Sequence, residues 1–378
     1  MFKERYQERG HKMFNPPLNK LLAKMKKEQI NNLLISDPYS INYLCNYYTN
    51  PGERLLLLDI KINGQVNLFI NQLFPTFHEN NSSINPIYYK DGEPILTTIA
   101  KQLINGKVGI DKNWQSQHLI TLMKFRKDLT FINGSPLVDS LRARKNSEEI
   151  AKMKTVSLQN DQAMNRIMQK LPDQLSEQQM VQYLDQIYTE LNCNGFSFDP
   201  IIAYGANGAD PHHQISKKQP QLGESIIVDI GCSQNGYCSD MTRTFFYGQV
   251  SAKDRDIYQT VLKAQLAAIN HVKPGVSCSS IDQAARSVIE EAGYGAYFTH
   301  RTGHFIGQEV HEEGDIGPFN HEPIEVGNIF SIEPGIYLPD QMGVRIEDLV
   351  LVTEDGYELL NHFTKDLIII EADKSRRV

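Results

Sequence analysis

Residues 226–245 read IIVDIGCSQNGYCSDMTRTF, with one aspartate in each arm of what the pattern predicts to be a β-hairpin. The run before Asn235-Gly236 is apolar and β-branched. The Asn-Gly pair is the strongest two-residue hairpin signal, and the run after it resumes an extended pattern. With that turn Gln234 pairs with Tyr237 and Asp229 lies opposite Thr242. Asp240, two residues from Thr242 on the same face, becomes a diagonal neighbour of Asp229. Two carboxylates crowded on a largely buried face repel, so a positive charge is expected between them, and a metal ion is the first candidate.

Three more residues could share that chemistry. Glu333 in NIFSIEPGIYL is held extended by Pro334 at the end of an apolar strand. Glu347 alternates with Arg345 in the strand GVRIEDLVLV, and His304 stands in RTGHFIG, which reads as a glycine-flanked loop. Each has a bland reading. Asp229 could be a paired buried acid, Asp240 could bridge to Arg243, His304 could be an ordinary hydrogen-bonded histidine, and Glu347 could pair with Arg345. Jointly, four acids and one imidazole at strand ends of two matching segments call for a cation.

The elements that must position them fall into two parts. The first alternates short strands and helices: a polar helix near 18–29, the strands INNLLIS, RLLLLDI, GQVNLFI and KVGID, and a turn at Asn63-Gly64. KMKK reads as a solvated helix face. Longer helical patterns begin at Ser147, with apolar positions Ile150, Met153, Met164, Ile167 and Leu171, which places a domain boundary near Leu141. The predicted domains are 1–141 and 142–378. The second part carries a weak internal duplication. A helix over 148–171, a break at Pro172 and a helix opened by the capping-box-like Ser176–Gln179 lead into the Asp229/Asp240 hairpin. A helix over 254–272, a break at Lys273-Pro274-Gly275 and a helix over 280–292 lead into the strands bearing Glu333 and Glu347. Two such halves facing each other would bring four carboxylates to their join. The class is α/β (α+β).

Bulk properties bound the rest. A chain of 378 residues holds two full cores, and its formal net charge of −7 argues against a nucleic-acid surface or a polybasic membrane tail. Cys45, Cys193, Cys232, Cys238 and Cys278 are odd in number and form no CxxC, as in a reduced cytoplasmic protein. MFKERYQERGHKMF has no apolar core of a signal peptide, and no apolar run approaches membrane-spanning length.

VDIGCSQNGYCSDMTRTF, RTGHFIGQEVHEE, FSIEPGIY and GVRIEDLVLV resemble the pita-bread metallopeptidases, which include prolidase, aminopeptidase P, methionine aminopeptidase and creatinase. ISDPYSINYLCNYYTNPGERLLLL is similar to the smaller N-terminal domain of the prolidase and creatinase branch, and the overall likeness is to short bacterial Xaa-Pro dipeptidases. The resemblance implies an N-terminal mixed-sheet domain and a pita-bread catalytic domain with pseudo-twofold halves. It implies two divalent ions, Mn²⁺ foremost with Co²⁺ or Zn²⁺ as alternatives. Their ligands would be Asp229, Asp240, His304, Glu333 and Glu347, with Asp240 and Glu347 bridging. An oxygen-rich set with one imidazole and no thiolate agrees with such ions. His212, His311 and Arg345 match positions that hold substrate and the tetrahedral intermediate, with His213 a rival for His212. Arg345 can equally orient a nearby carboxylate.

The implied reaction is hydrolysis of the bond before proline by a water acidified between the ions, with Glu333 moving the proton and His212 or His311 meeting the oxyanion. The implied partners are a small peptide with proline second and a second copy in a homodimer. Arg301, Arg345 and the bulky Phe305, which stands where glycine is frequent, are suited to close the pocket past the proline and meet a free carboxylate, although a surface ion pair is the more ordinary use of Arg301. Gly314 stands where proline is frequent. Aminopeptidase P on longer peptides is the enzymatic alternative, and a catalytically dead binding module is the non-enzymatic one. The separate N-terminal domain disfavours methionine aminopeptidase, and the intact ligand set disfavours creatinase and the dead module.

Overall fold

In the computed structural model, which describes residues 16–78 and 83–372, the chain divides after Arg142 into two units. The N-terminal stretch read above for a signal peptide lies outside the described residues. The first unit contains helices α1 (Pro16–Glu28), α2 (Pro38–Cys45), α3 (Ile95–Gln102), α4 (Ser116–Phe125) and α5 (Ser135–Arg142). Its strands are β1 (Ile30–Ile35), β2 (Leu57–Lys61), β3 (Val66–Asn71), β4 (Ile84–Tyr89), β5 (Lys107–Ile110) and β6 (Thr130–Asn133). They form one mixed sheet in the order β4-β3-β2-β1-β5-β6. Leu33 and Ile35 face a core with α1, α2 and α5, whereas Leu34 faces a second core with α3 and α4. Burial on both faces is why the sequence runs continuously apolar rather than alternating.

The second unit opens with α6 (Ser147–Lys170) and α7 (Glu177–Glu190), each started by a complete capping box, Asn146 with Glu149 and Ser176 with Gln179. The strands β7 (Ile201–Tyr204), β8 (Ser225–Ile230), β9 (Ser233–Gln234), β10 (Tyr237–Cys238) and β11 (Met241–Tyr247) follow. Next come α8 (Ala252–His271) and α9 (Cys278–Glu291), and then β12 (Gly303–Phe305), β13 (Glu312–Ile316), β14 (Ile329–Ile332), β15 (Gly335–Leu338), β16 (Met342–Arg345), β17 (Asp348–Thr353), β18 (Gly356–Leu359) and β19 (Ile368–Ile370). One sheet has the order β19-β11-β8-β7 and the other β13-β12-β14-β17-β18, so each helix pair is followed by strands of its own sheet. Separate apolar cores underlie the two halves, one with α6 and α7 and the other with α8 and α9.

The structure corrects three expectations. NIFSIEPGIYL is not one strand: Pro334 cannot donate to a ladder, and the chain leaves β14 to form β15, which pairs with β16 in a separate ribbon. GVRIEDLVLV likewise breaks after Arg345, so Arg345 and Glu347 do not share a strand. His304 lies in β12 rather than in a loop.

Arg243 in β11 sews the two acid-bearing segments together. Its fully buried guanidinium donates to Asp348 Oδ1 at 2.7 Å and to the carbonyls of Thr242, Glu347 and Phe363, and its Nε donates to the carbonyl of Thr364. It is engaged there and not with Asp240.

Candidate metal centre

The first hairpin forms in the expected register, Gln234 with Tyr237 and Asp229 with Thr242. Asn235 and Gly236 have φ of 51° and 77°, as a type I′ turn demands. Asp229 lies inside β8. Asp240 occupies the gap between β10 and β11, Glu333 follows β14, Glu347 precedes β17, and His304 is central in β12.

Asp240, His304 and Glu347 are buried, and each offers a ligand atom within 4.8 Å of the other two. His304 Nε2 is 3.3 Å from Glu333 Oε1 and 3.5 Å from Asp240 Oδ2. His304 Nδ1 donates to the Phe305 carbonyl at 3.2 Å, which turns Nε2 toward the acids. Asp229 Oδ2 accepts from Arg345 Nη2 at 2.6 Å. Among the described residues Asp229 Oδ1, Asp240 Oδ1 and Glu347 Oε1 are buried with no hydrogen-bond donor. Three buried carboxylate oxygens without a protein donor are costly unless cations meet them, so the donor set fits a metal centre.

Titration points the same way. Burial, then the charges of Asp229 and Glu333, pushes Asp240 well above the ordinary carboxylate range. Glu347 is pushed well up by burial and by Asp240, Glu333 and Asp229. Burial also raises Asp229 while Arg345 opposes it. Glu333 differs: burial works against ionisation, but His304, His300 and Arg345 together hold it below its ordinary value. One acid is thus prepared to be charged, and its neighbours need positive charge to become so.

Arg345 is buried and its hydrogen bonds go inward, to Asp229, to Thr242 Oγ1 at 3.1 Å and to Tyr337 OH at 2.8 Å. Thr242 Oγ1 in turn donates to Glu347 Oε2 at 2.7 Å, so a threonine stands where a direct Arg345–Glu347 pair was the alternative. His300 Nδ1 donates to the Arg301 carbonyl at 2.7 Å, and its Nε2 bonds Tyr337 OH at 2.8 Å. His300 and Tyr337 carried no sequence signal, because their partners lie on other elements.

His212 is exposed and is among the groups whose proximity lowers His300 and His311. His213 instead pairs with Glu177, its Nε2 lying 2.9 Å from Oε2. His311, also exposed, packs edge-on to His304 with ring centroids 4.3 Å apart. Desolvation, then His304 and Arg301, pushes its pKa down to about 4. The next residue, Glu312, anchors that segment by accepting from Lys145 Nζ at 2.8 Å. Arg301 is exposed and forms no ion pair among the described residues.

Phe305 does not line this centre. It alternates with His304 along β12, so its ring points to the opposite face and packs on Phe330 with centroids 5.5 Å apart. Gly314, at φ +115°, supplies the space: a Cβ there would come within 2.7 Å of the Phe305 ring. The two departures from the resemblance are therefore one packing unit. Gly314→Ala should destabilise the protein by about 1–3 kcal/mol. Phe305→Leu should absorb part of that, leaving the double variant more stable than the sum of the singles by at least about 0.5 kcal/mol in thermal unfolding. Strict additivity would remove the interlock.

Residues 151–354 match the model of metallopeptidase family M24, and residues 17–144 match the creatinase/prolidase N-terminal domain. An uncharacterized peptidase of Staphylococcus aureus strain MW2 is 32% identical over 363 residues, spanning 92% of this chain and 99% of the relative. A prolidase from Thermococcus sibiricus superposes with a TM-score of 0.89 at 30% identity, covering 95% of this chain and all of that one. A dipeptidase from Pyrococcus horikoshii OT3 gives 0.87 at 33%, covering 93% of this chain and 99% of that chain. The chain belongs to metallopeptidase family M24: it has a creatinase-like N-terminal domain and a pita-bread domain, and a buried Asp/His/Glu group suited to a metal. Among the described residues no helix is long and apolar enough to cross a membrane.

Proposed function

We propose that the protein is an exopeptidase for peptides with proline second, Xaa-Pro dipeptides first. Asp229, Asp240, His304, Glu333 and Glu347 would hold two divalent ions, Mn²⁺ foremost, with Asp240 and Glu347 shared. The observation that supports this most is the convergence of three orphaned carboxylate oxygens beside His304 Nε2. When bound, such ions acidify water and polarise the scissile carbonyl. The chain does the rest. Glu333, held ionised, takes the proton of the attacking water and returns it to the departing proline nitrogen. His212 and His311 donate to the carbonyl oxygen as it becomes negative. Arg345 orients Asp229 from behind. The same reading places the protein in the cytoplasm as a homodimer, in keeping with five unpaired thiols.

With Arg345 engaged and Phe305 in the core, Arg301 is the cation left to meet the substrate's carboxylate. An exposed pair is worth about 1 kcal/mol at most. Arg301→Ala should therefore raise KM for Leu-Pro about five-fold with kcat unchanged, and leave Leu-Pro amide unaffected. The decisive panel compares Leu-Pro, Leu-Pro amide and Leu-Pro-Gly after metal stripping and reloading with Mn²⁺, Co²⁺ or Zn²⁺. Faster cleavage of the dipeptide supports the proposal. Equal kcat/KM for the tripeptide would favour an aminopeptidase, and a metal-loaded protein that turns over none of them a binding module.

A further inference from the structure

Glu177 is the first residue of α7 and is completely buried, yet it does nothing for its own helix, whose cap is already made by Ser176 and Gln179. Both of its oxygens reach across to the segment 204–216. Oε1 accepts from the backbone N–H of Tyr204 at 3.0 Å and from Asn207 Nδ2 at 2.8 Å. Oε2 accepts from Ser216 N–H at 2.7 Å and Ser216 Oγ at 2.6 Å, and pairs with His213 Nε2 at 2.9 Å. The first amides of α7 join in, Glu177 N donating to the Lys218 carbonyl and Gln178 N to that of Ser216. On its other side the turn 205–209 lies backbone to backbone on β16, where a Cβ on Gly343 would come within 1.8 Å of the Gly208 carbonyl oxygen.

A buried charge with five donors from one loop is more than a helix start needs, and the loop it grips carries two adjacent histidines. The two sit at the end of a tight turn, in which His213 N donates to the Asp210 carbonyl at 3.2 Å and His212 N to Asp210 Oδ1 at 2.9 Å. Catching His213 therefore fixes the turn that carries His212. We infer that Glu177 is a positioning residue: by holding His213 and the ends of its loop, it turns His212 toward the substrate and decides which of the two adjacent histidines serves the reaction. This rests on the Xaa-Pro reading for the role of His212. Burial works against the charge of Glu177, but the hydrogen bonds from Ser216, His213, Tyr204 and Asn207 outweigh it and hold the carboxyl below its ordinary value, so the clamp keeps its charge.

The test is a double-mutant cycle on Leu-Pro with the Mn²⁺-loaded protein. Glu177→Gln should lower kcat about ten-fold with KM little changed, equal to about 1.4 kcal/mol. His213→Ala should lower the same parameter less, and His213→Gln, which still donates to Glu177, should restore most of it. In a His212→Ala background all three should lose their effect. Undiminished losses in that background would reduce Glu177 to a fold-stabilising residue. A larger loss from His213→Ala than from His212→Ala would also overturn the assignment. If the wild type cleaves no Xaa-Pro peptide, the functional reading falls but the clamp is still judged from imidazole ¹H–¹⁵N spectra of the peptide-free protein. There Glu177→Gln should move the His212 ring signals along with those of His213. Unmoved His212 signals would refute the clamp.

Discussion

Asp240→Asn should lose activity by roughly three orders of magnitude, the upper end of what removal of one preorganised electrostatic group costs. The same variant should be no less stable than the wild type when both are stripped of metal. Asp240 and Glu347 titrate well above ordinary carboxylates in the fold, because they are buried and face each other's charge. The native state therefore holds more protons than the unfolded chain once pH passes the ordinary carboxylate value. Stability of the metal-free protein must fall as pH rises from there toward the raised native values. Asparagine at 240 removes one participant, so the metal-free variant should melt roughly 2–4 °C higher at neutral pH, about 1 kcal/mol. Metal should reverse the ranking, since saturation at a hundred times Kd adds about 2.7 kcal/mol to a protein that binds it only when folded. Thermal unfolding with EDTA and with Mn²⁺, beside metal content and turnover, checks all three. Wild-type turnover in Asp240→Asn at limiting metal would sink the shared-ligand assignment.

Glu333→Gln should cost about 10²–10⁴-fold in kcat even at saturating metal, the span of general acid–base catalysis. Two sources of acid sensitivity can be told apart in the wild type. Protonation of Asp240 and Glu347 competes with metal, so that part of the acid limb should move to lower pH as metal is added. Protonation of Glu333 lies further into acid, because His304, His300 and Arg345 hold its pKa below the ordinary value, so its limb is told from the first by its position in pH and not by metal, which Glu333 itself would ligate. The glutamine variant should lack this second limb. A near-normal rate with an unchanged profile would take Glu333 out of the proton path.

The parts of this site that were legible in the sequence are those whose geometry is local. Asn235-Gly236 sets a hairpin register, and the register alone makes Asp229 and Asp240 neighbours. Ser176 and Gln179 announce a helix start within four residues. Strand breaks were harder, because β14 and β15 read as one apolar run until Pro334 is taken as an exit rather than a pause. Phe305 misled for a different reason: its size suggested a pocket wall, whereas period two along β12 already sets it opposite His304. Tyr337, Thr242 and Glu177 were out of reach. Tyr337 looks like an alternating core residue, Thr242 like a β-branched strand filler, and Glu177 like a capping acid. Each acquires its part from a partner far along the chain, 39 residues away for the Glu177–Ser216 bond and 105 for Thr242–Glu347.

The Arg243 suture has a consequence for how the protein is made. Its bond to the Glu347 carbonyl spans 104 residues, and its bond to that of Phe363 spans 120. On a ribosome, a chain released only as far as α9 possesses two aspartates and neither glutamate, with an unanswered guanidinium in the place where β17 will dock. A product truncated at α9 therefore cannot assemble the centre, and ion capture there would have to wait until the segment 333–348 emerges. Metal uptake during refolding would then act as a clock for the final docking of the second half onto the first, a late non-local event of the kind that limits folding rates.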